Sequence, residues 1–180
     1  MKVTMQHTEE TIRRLARVQY DTFCLAQKLL VFLFGAGLVW LGVTNRFDST
    51  TSLVMIAMGC WTITGINASP NRNAKKMIEY AKGNLPKSEY TFQKESVLIY
   101  GDGQQTKLAY KDIYSLVQDE AYFYLFISKY SAYMVPLAEL KEEQVQELKQ
   151  MLEGKCGRRF ERPGSLWSLS LKTLSRSFRK

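Results

Sequence analysis

Two charge-free apolar runs constrain the fold of this chain more than any other feature of its sequence. The first run extends over residues 29–45 and the second over 49–71, and a short polar connector separates them. About 20 helical residues cross the roughly 30 Å hydrocarbon core of a bilayer. Because backbone polar groups surrounded by lipid must find partners inside their own segment, both runs must be helical there. The sequence therefore predicts a transmembrane hairpin over residues 23–69, with spans at 23–45 and 49–69.

Two other interpretations of these runs fit the sequence less well. A helix buried in a soluble core usually keeps a polar stripe toward water, whereas the first run is apolar on all its faces. A secretory signal peptide would begin nearer the N-terminus and end at a small-residue cleavage site. Here a long charged segment precedes the first run, and no clear site follows it. We therefore adopt the hairpin.

Basic residues lie on one side of the predicted hairpin. They are Arg13, Arg14, Arg17 and Lys28 before it, and Arg72, Lys75, Lys76 and Lys82 after it. The connector carries only Arg46, next to Asp48. Because cytoplasmic loops carry the excess of Lys and Arg, this distribution predicts a multi-pass membrane protein with both termini in the cytoplasm. Lys28, at the edge of the first span, is expected to snorkel to the interface.

Amphipathic helices are predicted on both sides of the hairpin. Acidic residues follow Thr8, as in a first helical turn, which predicts a juxtamembrane helix over residues 1–22. A connecting helix and linker is predicted over 70–87. We expect lipid headgroups to contact Arg13, Arg14, Arg17, Lys75 and Lys76. For the three arginines, an equally good interpretation treats them as ordinary charges of the cytoplasmic side.

Small residues predict how the two spans pack. On the first helix they are Gly35 and Gly42, and on the second they are Ala57, Cys60 and Thr64. Small residues let lipid-embedded helices approach closely, so we expect these two stripes to face each other. No ionisable residue lies in the middle of either run, which disfavours a transporter or a channel.

Strand patterns begin after the second run. Six short segments rich in alternating β-forming and aromatic residues occupy 88–136, and successive antiparallel pairing would give one curled sheet. An amphipathic helix follows over 137–153, with Gly154 as its C-cap. We therefore predict an α+β fold, with a two-helix transmembrane hairpin followed by a small antiparallel β domain over 88–153 that a C-terminal helix caps.

A basic tail occupies residues 154–180. It carries a net charge of +7 out of +8 for the whole chain. Charge confined to a tail argues against a folded nucleic-acid-binding surface. The spacing of its apolar residues predicts a basic amphipathic helix on the membrane surface, where Trp167, Lys172 and Arg176 contact lipid. The high serine content fits a disordered tail equally well.

No recognisable catalytic pattern occurs in the sequence. His7 is the only histidine, and there is no phosphate-binding loop, G-x-S-x-G or H-E-x-x-H motif. The cysteines Cys24, Cys60 and Cys156 have neither disulfide-like nor metal-ligand spacing, although Cys24 is a candidate for acylation at the membrane boundary. We therefore expect no enzyme activity, no catalytic, cofactor-binding or metal-binding residues, and no cofactor.

The β segment carries a resemblance to a known family. The segments that support it are Tyr-Lys-Asp-Ile at 110–113, YFYLFIS at 122–128 and AYMVP at 132–136. Over residues 20–153 the chain resembles the YcxB-like family of bacterial membrane proteins, and its β domain resembles bacterial pleckstrin-homology-type (PH-like) modules. The resemblance implies two membrane helices followed by a small PH-like β domain in an inner-membrane setting. It implies no established activity, so no functional residues are carried over.

Two functions are consistent with this organisation. The first is a membrane-tethered binding or regulatory module, in which the cytoplasmic β domain recognises a peptide, a protein or a lipid headgroup. The second is an accessory structural subunit that binds a partner membrane protein through the helix hairpin. The expected partners are membrane lipids and an unidentified protein, and not nucleic acid.

Overall fold

The computed structural model describes residues 1–44, 48–81, 83–101 and 103–164. These residues form two compact units. The first unit, which we call the β module, joins Met1–Leu15 to Met77–Pro163. The second, which we call the helical unit, contains Ala16–Lys76 and Gly164.

Seven strands form two antiparallel sheets in the β module. The four-stranded sheet contains, in spatial order, β1 (Lys2–Gln6), β2 (Lys87–Phe92), β3 (Ser96–Gly101) and β4 (Gln104–Ala109). The three-stranded sheet contains β5 (Ser115–Gln118), β6 (Tyr122–Ser128) and β7 (Ser131–Pro136). Apart from the β1–β2 pair, neighbours in each sheet are also consecutive in the chain, as the short connectors predicted.

The first strand corrects the sequence analysis. The juxtamembrane helix predicted over residues 1–22 begins only at Glu9, because Lys2–Gln6 is a strand that pairs with β2. Val3 and Met5 are buried while their neighbours face outward or lie half-buried, which is the alternation of a strand with one core face. A five-residue pattern is too short to predict a strand whose partner lies beyond both apolar runs.

The expected single sheet of six strands is also wrong. A 3₁₀ turn, Tyr110–Asp112, interrupts the chain between β4 and β5 and separates the two sheets. Tyr110 is buried, and its hydroxyl donates to the carbonyl of Gln93 at 2.8 Å. The sheets meet where β1 contacts β7, and there the ring of Tyr90 meets Tyr133 edge-on at 6.4 Å.

Strand β6 is buried on both faces. Phe123 and Leu125 point to one side of the sheet and Tyr124 and Phe126 to the other, and all four side chains are inaccessible to solvent. Phe160, beyond the last helix, packs against Phe123 with ring centroids 4.4 Å apart. The unbroken apolar run of β6 is typical of a strand with protein packed against both of its faces.

The C-terminal helix of the module, α5, lies at Glu142–Cys156. It was predicted over 137–153 with Gly154 as its C-cap, and both ends are wrong. Lys141 is the N-cap, because the preceding residues close a separate turn with Leu140 N–H bonded to the Leu137 carbonyl at 3.0 Å. Gly157 is the C-cap, in the left-handed conformation at φ 62°, and Gly154 lies inside the helix.

The module extends beyond α5 into the predicted tail. Glu161 pairs with the edge of β5, donating its N–H to the Leu116 carbonyl at 3.0 Å and accepting from Gln118 N–H at 2.9 Å. Phe160 N–H is bonded to the Glu153 carboxylate at 2.8 Å. Residues 157–163 are therefore part of the folded β module.

Among the described residues, four helices precede β2. They are α1 (Glu9–Phe23), α2 (Leu25–Thr44), α3 (Ser49–Thr64) and α4 (Ala68–Tyr80), and a 3₁₀ turn at Gly65–Asn67 separates α3 from α4. In the described part of the chain, α2 is the one helix that is by itself long and apolar enough to cross a membrane. Helix α3 has 16 residues and passes the same test only together with α4, from which it is bent by 47°. The connecting helix, predicted to begin near residue 70, begins at Ala68, and Pro70 lies in its first turn, where proline is tolerated.

Candidate membrane interface

Helices α2 and α3 pack against each other in antiparallel fashion through a seam of glycines. A Cβ atom added to Gly59 would lie 2.6 Å from the Gly35 carbonyl oxygen and 2.6 Å from Val39 Cγ2. One added to Gly42 would lie 2.9 Å from the Ser52 carbonyl oxygen. The backbones thus approach so closely that no side chain fits between them, which is the packing that lipid-embedded helices use.

The seam contains the small residues predicted for α2 but not those predicted for α3. Gly35 and Gly42 of α2 are buried in it, as expected. On α3 the contact residue is Gly59, whereas Ala57, Cys60 and Thr64 are exposed. All of these residues are small, but only glycine removes the Cβ atom that would hold the backbones apart. Residue size alone therefore identified the wrong face of α3.

The outer faces of α2 and α3 are apolar and exposed. Trp61 is 82% exposed and Trp40 is 69% exposed. The other exposed large apolar residues of the two helices are Leu30, Phe32, Leu33, Phe34, Leu41, Val43, Leu53, Val54 and Met58. A helix in the core of a soluble protein would bury such side chains, so this surface fits contact with lipid or with other apolar helices.

An ion pair lies where α1 meets α2. Lys28 Nζ donates to the Asp21 carboxylate and lies over the Tyr20 ring, 5.5 Å from its centroid. Lys28 is buried, so it does not extend freely from the end of the span as the snorkelling prediction required. Cys24 separates α1 from α2 between the two charges, although its N–H still donates to the Tyr20 carbonyl at 2.9 Å and its carbonyl accepts from Lys28 N–H at 3.0 Å.

The predicted lipid-contact residues fall into three groups. Arg17, Lys75 and Lys76 are exposed on helices next to the apolar pair, and Arg13 is exposed with its guanidinium 3.6 Å from Glu9. Arg14 is instead bonded to Asp119 inside the β module, which engages its guanidinium within the protein. Trp167, Lys172 and Arg176 lie outside the described residues. For the exposed group, lipid contact stays a prediction.

A polar cluster around Asp119 was not predicted from the sequence. Arg14 Nε donates to Asp119 Oδ2 at 2.8 Å, and the Tyr124 hydroxyl donates to the same oxygen at 2.6 Å. The backbone N–H groups of Ala121 and Tyr122 donate to Oδ1, each at 2.9 Å. The guanidinium of Arg14 also lies over the Tyr122 ring, 5.2 Å from its centroid. Two charges and two rings thus hold the first turns of α1 against the β5–β6 hairpin within the β module.

The pKa values of this cluster follow from its contacts. Partial burial disfavours the charged form of Asp119, but the hydrogen bonds from Tyr124, Ala121 and Arg14 outweigh it and lower the pKa of the carboxyl group. Burial, together with the bond to this carboxylate, raises the pKa of Tyr124. The Asp119 carboxylate is therefore charged and fully engaged, as in a structural site. Aspartate is a common turn residue, so the sequence offers a signal for the bonds from Asp119 to the next backbone amides. The sequence gives no signal for its arginine partner.

The remaining chemical groups of the β module are dispersed. No group of three His, Cys, Asp or Glu side chains is placed to hold a metal ion among the residues that the structure describes. Burial raises the pKa of Cys156 to about 11, which makes its thiol a poor nucleophile. Lys87, Glu89 and Tyr100 line a shallow depression on the exposed face of β2 and β3.

The comparisons with known proteins concern the β module. Residues 92–152 match the family model of the YcxB-like proteins. This YcxB-like segment runs from the end of β2 to α5 and contains all three strands of the second sheet. It is shorter than the predicted resemblance over 20–153, since neither β1 nor the apolar helices fall within it. No curated protein and no solved structure matches the chain.

Proposed function

We propose that this protein is an integral inner-membrane protein in which a hairpin of α2 and α3 holds the YcxB-like module at the cytoplasmic surface. The module acts there as a binding or regulatory element and not as an enzyme. The observation that carries the proposal is the pairing of β1 with β2, which joins the two ends of the helical hairpin on one side of any bilayer.

The strand pairing supports an even number of crossings. β1 precedes the apolar helices and β2 follows them, yet Val3 lies opposite Tyr90 and Met5 opposite Ser88. Because strands cannot pair across a bilayer, the chain between them must cross it an even number of times. If α2 crosses once, the second apolar run must return the chain. The antiparallel glycine seam between α2 and α3 supports such a return.

The second crossing is not a single straight helix. At about 1.5 Å per residue, α3 is about 24 Å long, which falls short of the roughly 30 Å apolar core. The 3₁₀ turn Gly65–Asn67 and the uncharged start of α4 extend the crossing to residue 69, with a bend. Helix interruptions are tolerated in membranes where neighbouring backbone and side chains satisfy the freed polar groups.

The strand order supports the PH-like interpretation of the module. The module consists, in this order, of a four-stranded meander, a three-stranded meander and a C-terminal helix. This is the arrangement of pleckstrin-homology-type modules. In this chain the membrane hairpin would be inserted between the first and second strands. The shallow depression at Lys87, Glu89 and Tyr100 is the candidate contact surface for a peptide or protein partner.

Cysteine labelling tests the topology. In a C24S/C60S/C156S background, Thr50→Cys places a thiol beside the connector, and Lys111→Cys and Lys2→Cys place thiols on the module; all three positions are exposed. We expect a membrane-impermeant maleimide to label T50C on intact spheroplasts, and K111C and K2C only after permeabilisation. Labelling of K2C and K111C from opposite sides, or extraction of the full chain by alkaline carbonate, would refute the proposal.

A second candidate function rests on the exposed faces of α2 and α3. An accessory subunit would use these apolar surfaces to bind a partner membrane protein. Photocrosslinkers at Ala57 and Thr64, both exposed, would then capture a protein, whereas crosslinkers at Tyr100 would not. Capture from Tyr100 alone favours the binding module.

A further inference from the structure

Helix α4 has two chemically distinct faces. Pro70 and Ala74 are buried on one face, and Ile78, on the same side, is half-buried. Arg72 and Lys76, four residues apart, are exposed on the opposite face. The same exposed face continues one turn further to Tyr80, which is 91% exposed. Cations next to an exposed aromatic side chain are typical of a helix that lies at a membrane surface.

The start of α4 lies at one end of the apolar helix pair. Gly35 of α2 faces Gly59 and Ile63, and Gly42 faces Ser52 and Ile56, so the pair is antiparallel. The end of α3 therefore lies beside the start of α2, and α4 begins at that end after a bend of 47°. Arg17 is exposed on α1, which leads into the same end of α2.

We infer that Arg72 and Lys76, supported by Arg17, form a binding surface for anionic phospholipid headgroups at the cytoplasmic end of the hairpin. This inference rests on the proposed membrane insertion. It commits to lipid because α4 is continuous with an apolar helix and because its charge complements an anionic leaflet. Arginine and lysine on adjacent turns present their donors in one row, which suits phosphate oxygens of neighbouring lipids.

A lipid-binding measurement with charge-neutral variants tests the inference. The full chain is purified in an uncharged detergent, and binding of a fluorescent short-chain phosphatidylglycerol is compared with binding of the matching phosphatidylcholine. Because the R72Q/K76Q variant removes two of the cations that attract an anionic headgroup, we expect it to bind phosphatidylglycerol at least about fivefold more weakly. Its affinity for phosphatidylcholine should not change.

The control variant is K107Q/K111Q. It removes the same charge from exposed positions of the β module and should bind phosphatidylglycerol like the unmodified protein. An equal loss in both variants, or no preference for phosphatidylglycerol in the unmodified protein, overturns the inference. The inference is also overturned if a soluble polyglutamate peptide displaces the fluorescent lipid at the same concentration as unlabelled phosphatidylglycerol does. The surface would then recognise acidic protein.

Failure of this inference differs from failure of the proposed function. If the chain inserts and labels as a hairpin but R72Q/K76Q binds lipid normally, only the headgroup surface is wrong. If alkaline carbonate extracts the chain, membrane insertion itself is wrong.

Discussion

Val3 and Tyr90 lie opposite each other in neighbouring antiparallel strands, although the whole helical hairpin separates them in sequence. Both side chains are buried in the core of the β module. The sheet therefore cannot be completed until the chain has passed through both apolar helices and returned. The β module is built from the two segments that flank the hairpin.

Replacing Val3 by aspartate should destabilise the β module. The variant places a charge in the core and removes an apolar contact, which typically costs about 3 kcal/mol. The predicted result is amide hydrogen exchange in β2 that is faster by roughly a hundredfold, since exchange reports the free energy of local opening.

The matched control for this experiment is Lys2→Asp, on the exposed side of the same strand. It should leave exchange in β2 within a factor of about two to three. Similar exchange in both variants would mean that β1 is not part of the module core.

A side chain at position 59 should force α2 and α3 apart. Gly59→Ala adds one methyl group where 2.6 Å remains to the Gly35 carbonyl oxygen, so the helix pair must shift. Overpacking of this kind costs about 1–3 kcal/mol, and we expect a lower melting temperature of the detergent-solubilised protein. Ala57→Leu, a larger change at an exposed position of α3, should melt like the unmodified protein.

The Asp119 cluster should couple α1 to the β5–β6 hairpin. Asp119→Asn keeps the size of the side chain but loses the charge that four donors share, and we expect a loss of about 2 kcal/mol in the free energy of unfolding. Arg14→Gln should cost less than about 1 kcal/mol, because its side chain is 38% exposed and solvent screens the pair.

A double-mutant cycle separates this coupling from general destabilisation. Once Asp119→Asn is present, Arg14→Gln should cost less than it does in the unmodified protein, since only its contact with the Tyr122 ring remains. Additive losses would show that Arg14 and Asp119 are not coupled in the folded protein.

Local patterns in the sequence predicted much of the fold. Strands β2 to β7 alternate or run apolar over short stretches with tight connectors, so each finds its partner next to it in the chain. Helix α2 was predicted from its length and apolar composition alone. These features depend on neighbours within about 15 residues, and such information is present in a single sequence.

Features that depend on distant partners were missed. Strand β1, the bond from Arg14 to Asp119, and the pairing of Glu161 with β5 all join residues that are far apart in the chain. The seam at Gly59 was missed for a different reason, because two faces of α3 carry small residues and only the partner helix distinguishes them. Candidate lipid contacts were predicted by charge, which cannot separate Arg14 from its exposed neighbours.

The only histidine should make stability depend on pH. His7 follows β1, and its Nδ1 is buried without a hydrogen-bond partner in the described structure. Burial lowers the pKa of His7 from 6.5 because the charged form is disfavoured. Its contribution to stability is complete above pH 6.5, the value for the unfolded chain, and is lost as the pH falls from there toward the lower pKa of the folded state.

Comparing thermal melts at pH 7.5 and 5.5 tests this dependence. The unmodified protein should melt lower at pH 5.5, and His7→Gln should remove most of that difference. An unchanged difference in the variant would assign the pH dependence to other groups.

The two glycines at the end of α5 should respond to alanine in opposite directions. Gly154 lies inside the helix with open space around it, so Gly154→Ala should stabilise the protein by about 0.5–1 kcal/mol. Gly157 has φ 62°, a conformation in which a Cβ atom is strained, so Gly157→Ala should destabilise by about 1 kcal/mol. Chemical denaturation of the two variants measures both signs. If Gly154 were the C-cap instead, the signs would be reversed, so this pair of variants decides where α5 ends and where the chain turns back toward Phe160 and β5.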